Sequence, residues 1–198
     1  MPSVIFLVRH GQTVWNWEGR QQGRLDSPLT AKGVEQALTI GRALHRVLPR
    51  VDDVTIETSP LGRAKRTAEL ICEEMCLAAD AMVVSPLLIE HNLGVWQGLT
   101  FEEIDRRYPG QRNHREADKW NYRVTDGESY ALVHDRACRW LRGCTAAATI
   151  TITHEMISRT IQGAYLSLSP NETLARSHRH GLIYCLRDGK ITEIVAGA

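Results

Sequence analysis

No stretch of this sequence approaches the roughly 18 consecutive apolar residues of a membrane-crossing helix, and no partner membrane is expected. Neither sign of charge dominates: 24 basic residues stand against 23 acidic ones, a net charge of +1 with histidines neutral. Without a long-range field the chain is not drawn to nucleic acid or to an anionic surface, so any anion it binds must be held by a local cluster. Cysteines number five, an odd count, and none pairs with histidines at zinc-ligand spacing. A disulfide framework and a metal are therefore not expected. Cys72 and Cys76 lie one helical turn apart in an amphipathic segment, where a buried structural role outweighs a redox one. Internal repeats and low-complexity runs are absent, and 198 residues suit one domain at ~150 residues per domain. The start, Met1 to Val8, has neither a basic leader region nor a small-residue cleavage site, so the expectation is a reduced, soluble, cytoplasmic protein.

What is present is a repeating strand and helix pattern. The apolar run Val4 to Val8 stops at Arg9, as a buried strand does. A loop from Gly11 to Pro28 leads to Thr30, which caps a helix carrying Val34, Ala37, Leu38, Gly41, Leu44 and Leu48, with Pro49 as its stop. Val54, Ile56 and Thr58 alternate as a second strand. Ser59 is placed as the cap and Pro60 as the first residue of the next helix, whose stripe is Ala64, Ala68, Ile71, Cys72 and Met75. A third strand is expected at Met82 to Ser85, followed by an extended segment from Leu87 to Glu90. Thr100 and Glu103 form a capping box. From Gly110 to Gly127 the period is lost, and the region from about 91 to 127 is read as an excursion over the site, with Trp120 and Tyr122 as either a lid or loop packing. Val133, Ala137, Trp140, Leu141 and Cys144 restore a helix, and Ala148 to Thr153 form a strand ending at His154. Another helix carries Ile157, Ile161, Ala164, Tyr165 and Leu168. Asp188-Gly189 then turns a hairpin between Leu182 to Leu186 and Ile191 to Val195. The pattern predicts one three-layer α/β domain, a mostly parallel central sheet flanked by helices with a terminal antiparallel hairpin.

In such sheets ligands sit beyond the carboxyl ends of the strands. The residues at those ends are Arg9 and His10, Arg63, Glu90 and His154. Two guanidiniums are permanent cationic forks for phosphate or carboxylate. The N-termini of the helix containing Arg63 and of the helix after His154 are expected to add backbone N–H donors. A neutral imidazole can attack phosphorus, a second can balance charge, and a carboxylic acid can protonate a departing oxygen. The cations can stabilise the equatorial oxygens themselves, so no cofactor or metal is called for.

These residues resemble a known family. Leu7-Val8-Arg9-His10-Gly11-Gln12-Thr13 is similar to the Arg-His-Gly signature of the histidine phosphatase superfamily, the phosphoglycerate-mutase-like proteins. The likeness continues through Asn16, Gln22-Gly23, Asp26-Ser27-Pro28-Leu29-Thr30 with Gly33, Thr58-Ser59-Pro60-Leu61 with Arg63, Ala64, Thr67 and Ala68, and Glu90 with Gly94, Trp96 and Gly98. The resemblance implies that His10 is the phosphorylated nucleophile and Glu90 the proton donor. Arg9, Arg63 and His154 would complete the phosphate pocket, with Asn16, Gln22 and Gly23 at its rim. Asn16 could also be a turn residue that holds its own loop. One departure stands out: the second histidine is followed by Glu155 where the family often has glycine, which places a carboxylate among the phosphate-binding residues. His91, next to Glu90, is expected in solvent or within reach of substrate, and His178 and His180 flank Arg179 in a short basic loop after Ser169-Pro170-Asn171-Glu172, another cap. The side chains that read the leaving group are expected in the 91 to 127 region and near Thr173 to His180.

The expected activity is a metal-independent phosphomonoesterase acting on a small phosphorylated metabolite. A cofactor-dependent phosphoglycerate mutase is the alternative, disfavoured because Leu93-Gly94 replaces the mutases' Tyr-Gly and no Arg-Arg-rich insertion is seen. A catalytically idle phospholigand-binding protein is the other. Oligomeric state, a homodimer included, stays open.

Overall fold

The computed structural model describes residues 4–48 and 54–196; Pro49, the expected helix stop, lies outside them. In chain order the elements are β1 (Val4–Arg9), α1 (Val14–Trp17), α2 (Ala31–Val47), β2 (Val54–Thr58), α3 (Gly62–Glu74), β3 (Val83–Val84), α4 (Phe101–Arg107), α5 (Gln111–Ala117), α6 (Tyr130–Gly143), β4 (Ala148–Thr153), α7 (Glu155–Tyr165), α8 (Pro170–Ala175), β5 (Leu182–Arg187) and β6 (Lys190–Val195). The strands form one sheet in the order β3-β2-β4-β1-β5-β6. β1 and β2 flank β4, all parallel, and β3 runs parallel to β2. β5 pairs antiparallel with β1, and β6 with β5. The expected α/β architecture, with its terminal hairpin, is what the chain adopts.

Alternation within the strands divides the core into two layers. Phe6, Val8, Ile56, Ile150 and Ile152 meet Ile40, Leu44, Ala64, Ala68 and Ile71 of α2 and α3 on one face. Ile5 and Leu7 meet Val133, Ala137, Trp140, Ile157 and Ile161 of α6 and α7 on the other. Because β1 and β4 are covered on both sides, they read as near-continuous apolar or β-branched runs. Cys72 belongs to the first layer, and burial pushes its thiol up to about 11, so it packs rather than reacts, whereas Cys76, expected to be buried with it, is exposed.

Several local expectations are corrected. α3 begins at Gly62, two residues after Pro60, and no side chain of its N-cap residue bonds to it. Ser59 instead accepts from Leu61 N and meets His154. The third strand shrinks to Val83–Val84. Pro86–Leu88 is a 3-10 turn rather than extended chain, since the ring of Pro86 starts a turn readily. α7 ends at Tyr165, before Leu168, and Ser167 turns left-handed. The region read as aperiodic contains α5, and the excursion builds its own small core of Leu93, Trp96, Leu99, Ile104 and Val124. The capping box at Thr100 forms as read, and the Ser169 cap is likewise a capping box, with Glu172. Among the described residues no helix is long and apolar enough to cross a membrane.

Candidate active site

The parallel order β2-β4-β1 brings three strand ends side by side, and the next residues along the chain are Ser59, His154 and His10. His10 is buried, with its backbone N–H on Thr153 O at 2.9 Å, which continues the β1–β4 ladder. Its ring Nδ1 lies 2.7 Å from the carbonyl of Gly11. A carbonyl only accepts, so Nδ1 carries the proton and Nε2 keeps a lone pair. Arg63 Nε donates to that Nε2 at 3.3 Å. Burial first, then His154, Arg63 and Arg9, hold the His10 pKa well below the ordinary histidine range. The imidazole is therefore neutral, as a nucleophile must be.

Arg63 is anchored on every side. Nη1 donates to Leu25 O at 2.7 Å and to Asp26 Oδ1 at 3.1 Å, and Nη2 to Gly23 O at 2.7 Å. Asp26 also accepts from the backbone N–H groups of Gly62 and Arg63. It thereby caps α3 from the opposite loop, which is why Ser59 and Pro60 need not.

Glu90 performs the same service for α7. Its Oε1 accepts from Ile157 N at 3.1 Å and from His91 N at 2.8 Å, and Oε2 from Met156 N at 3.2 Å. Two carboxylates thus already take the N–H groups of Gly62 and Arg63 at α3 and of Met156 and Ile157 at α7, so these four are not open to phosphate. Burial outweighs the backbone donors and Arg63 and raises the Glu90 pKa above the usual carboxylate value. Oε2, with a single donor, is the oxygen with room for a proton.

Arg9 reaches the carbonyl of His178 at 2.9 Å and Glu155 Oε2 at 3.1 Å, both through Nη1, while its buried Nε has no partner. His154 is fully buried, its ring centroid 5.1 Å from that of His10. Its Nε2 meets Ser59 Oγ at 2.7 Å and its Nδ1 is unpartnered. Burial, with Arg63 and Arg9, keeps it neutral as well.

A cavity of about 120 Å3 is lined by Arg9, His10, Asn16, Gln22, Gly23, Arg63, Glu90 and Glu155, together with Arg20, Gln21, Leu93 and Met156. At ~30 Å3 per water it accepts a group the size of a few waters. Every predicted site residue except His154 is on its wall. Asn16 Oδ1 is taken by the N–H and hydroxyl of Thr13, so the turn-holding role is real, yet the side chain still faces the cavity. Gln22 Oε1 is buried without a partner. Gly23 sits at φ +53, and a Cβ there would lie 2.4 Å from Gln97 Oε1. The larger groove of about 580 Å3 is at the far end of β1, among Ile5, Leu141, Tyr165 and Leu186, and holds no such cluster.

Three further histidines each meet a backbone carbonyl, and the solvent position expected for His91 is not the one it takes. His91 is buried, with Nε2 on Glu128 O at 2.7 Å. His178 is also buried, between Ser158 Oγ at 2.6 Å and Leu182 O at 3.1 Å. His180 Nδ1 donates to the carbonyl of His10 at 2.8 Å. No local pattern marks the Ser158 contact of His178 or the His10 contact of His180, because those partners lie 20 and 170 residues away in the chain. Trp120 and Tyr122 are not on the cavity wall: Trp120 lies against His134 and Tyr122 against Trp96, which is loop packing.

The family model described as "Histidine phosphatase superfamily (branch 1)" matches residues 5–190. The protein named "Probable phosphoglycerate mutase GpmB" in Salmonella arizonae is 36% identical over 141 residues, 71% of this chain and 62% of that protein, so the match spans less than two thirds of the relative's length. A solved mycobacterial glucosyl-3-phosphoglycerate phosphatase superposes with a TM-score of 0.79 at 27% identity, covering 98% of this chain and 96% of that one. The α-ribazole phosphatase of Shigella flexneri shares the fold, with a TM-score of 0.79 at 21% identity over 97% of this chain and 95% of that one. The chain belongs to the histidine phosphatase superfamily, branch 1.

Proposed function

We propose that this chain is a metal-independent phosphomonoesterase that works through a phosphohistidine on a small phosphorylated metabolite. The observation that carries the reading is the fixed Nδ1–H tautomer of His10, whose Nε2 lone pair faces Arg63. His10 Nε2 attacks phosphorus as the P–O ester bond breaks, and Glu90 passes its proton to the leaving oxygen. Water then attacks phosphorus, the P–N bond breaks, Glu90 takes back a proton and inorganic phosphate departs. Arg9 and Arg63 stabilise the equatorial oxygens through both steps, and the Asn16 amide NH2 is a further donor, its oxygen being held by Thr13. A cavity of about 120 Å3 lined by arginines suits a dianion of modest size better than a polymer.

A panel of sugar phosphates, nucleotides, phosphoglycerates and phosphopeptides tests the proposal. Hydrolysis of at least one, abolished in His10→Ala together with acid-labile labelling of the protein, is the expected result. An absence of His10-dependent hydrolysis across the panel overturns it. The relatives named as mutases make one further assay necessary: interconversion of phosphoglycerates primed with bisphosphoglycerate, where turnover faster than hydrolysis would assign the mutase activity instead.

A further inference from the structure

Glu155 lies between two cavities. It lines the phosphoryl pocket, and it lines a neighbouring cavity of about 280 Å3 that also contains Tyr130, Met156 and Arg159. Its two oxygens are divided between two arginines, Oε2 on Arg9 Nη1 at 3.1 Å and Oε1 on Arg159 Nη2 at 3.0 Å. Arg159 is itself held by Tyr130, whose hydroxyl accepts from Nη1 at 3.2 Å, while its buried Nε has no partner. The side chain of Glu155 is about one third exposed, so it can leave one arginine without leaving the other.

We propose that Glu155 is an internal counter-ion that competes with phosphate for Arg9 and so speeds release of the product. The inference rests on the reading of the Arg9, His10 and Arg63 pocket as a phosphate site. When a phosphoryl group settles on Arg9, the carboxylate withdraws to Arg159, which already holds its other oxygen. After hydrolysis the free phosphate has lost every contact made through the leaving group. Glu155 returns to Arg9 and displaces it. Arg159 is the positioning residue in this scheme, since it receives Glu155 in the occupied state. The cost of the device is weaker ground-state binding, which affects product and substrate alike.

Calorimetric titration of the purified enzyme with inorganic phosphate tests this without relying on turnover. Glu155→Gln keeps the side-chain shape and removes the charge. It is expected to tighten phosphate binding roughly 5-fold, in line with a partly exposed ion pair, and to strengthen product inhibition by a similar factor. Arg159→Met is expected to weaken binding in the wild-type background and to change it little in the Glu155→Gln background, because only Glu155 needs Arg159 to withdraw to. Arg159→Lys, which keeps the charge without the fork, is the second variant should the methionine form unfold. Unchanged or weaker phosphate binding in Glu155→Gln overturns the proposal. So does an Arg159 effect of equal size in both backgrounds, which would reduce Arg159 to a distant charge. If the wild-type protein takes up no phosphate at all, the reading of the site as a phosphate pocket fails first.

Discussion

Arg63 Nε donates to His10 Nε2 over 3.3 Å, and that nitrogen is the one left unprotonated by the Nδ1 contact with Gly11. A cationic donor aimed at an imidazole lone pair keeps the ring neutral, since a second proton there would face the guanidinium. In the proposed mechanism the same donor takes up phosphoryl oxygens once Nε2 attacks, so that the resting contact and the catalytic one would use the same atoms.

Glu90→Gln should slow hydrolysis of an alkyl phosphate by ~10²- to 10⁴-fold, the range for loss of a general acid. The loss should be much smaller with p-nitrophenyl phosphate, whose leaving oxygen needs no proton. Because burial raises the pKa of Glu90, the acid form required for the first step is lost as pH rises through that raised value. The wild-type rate should therefore fall on the alkaline side, and this limb should disappear in the variant. Steady-state pH profiles with both substrates check this, and an equal loss with the two leaving groups would remove Glu90 from the acid role.

In the proposed mechanism Asp26 would couple stability to catalysis. It caps α3 and holds the Arg63 fork, so Asp26→Ala should cost ~1 kcal/mol of folding stability and also reduce kcat/KM. Asp26→Asn retains an accepting oxygen for the cap and should recover most of the stability. Urea denaturation beside kinetics separates the two effects, which are expected to diverge in the asparagine variant.

Gly33 lies at the start of α2, outside the cavity lining, yet a Cβ on it would fall 2.0 Å from the carbonyl oxygen of Gln12. Gly11 is pressed equally closely against Gly33. Gly33→Ala must push back the segment that carries the Gly11 carbonyl, the partner of His10. A stability loss of ~1–3 kcal/mol is expected from such overpacking, with activity reduced beyond what the folded fraction explains. Circular dichroism melts and active-fraction titration provide the readout.

His178 is buried against Ser158 and Leu182 and held down to about 3 by that burial. An unfolded chain takes up the proton near pH 6.5, while the folded one refuses it, so the stability is complete above about pH 6.5 and is lost as pH falls toward 3. His91 and His180, each lowered to about 4, act in the same direction. His178→Gln should flatten the acid side of the Tm profile, by an amount on the order of 3 kcal/mol between pH 7 and 4. A variant profile parallel to that of wild type would assign the acid sensitivity to other groups.

Arg9, His10, Arg63 and His154 could be picked out from sequence because each follows from short-range patterns, whereas the segment ending at Glu90, expected to be extended, begins with a 3-10 turn. An apolar run ends, a helix begins, and the parallel sheet places such ends together. Caps at Thr30, Thr100 and Ser169 were legible for the same reason: donor and acceptor lie within one turn of chain. What each site residue is bonded to was decided elsewhere. Glu90 meets the N-terminus of α7 across 66 and 67 residues of sequence, Asp26 meets α3 across 36, and Arg9 meets the carbonyl of His178 across 169. No periodicity encodes such pairings, because they arise only when the sheet has closed. Hence the odd carboxylate at position 155 could be noticed as a departure from a pattern, but not as the ion that bridges Arg9 and Arg159. The sequence carried the list of chemical groups and their order along the sheet. Tertiary structure determined their protonation, their partners and which helix ends were already taken, because burial and long-range contacts, not neighbours in the chain, set those energies.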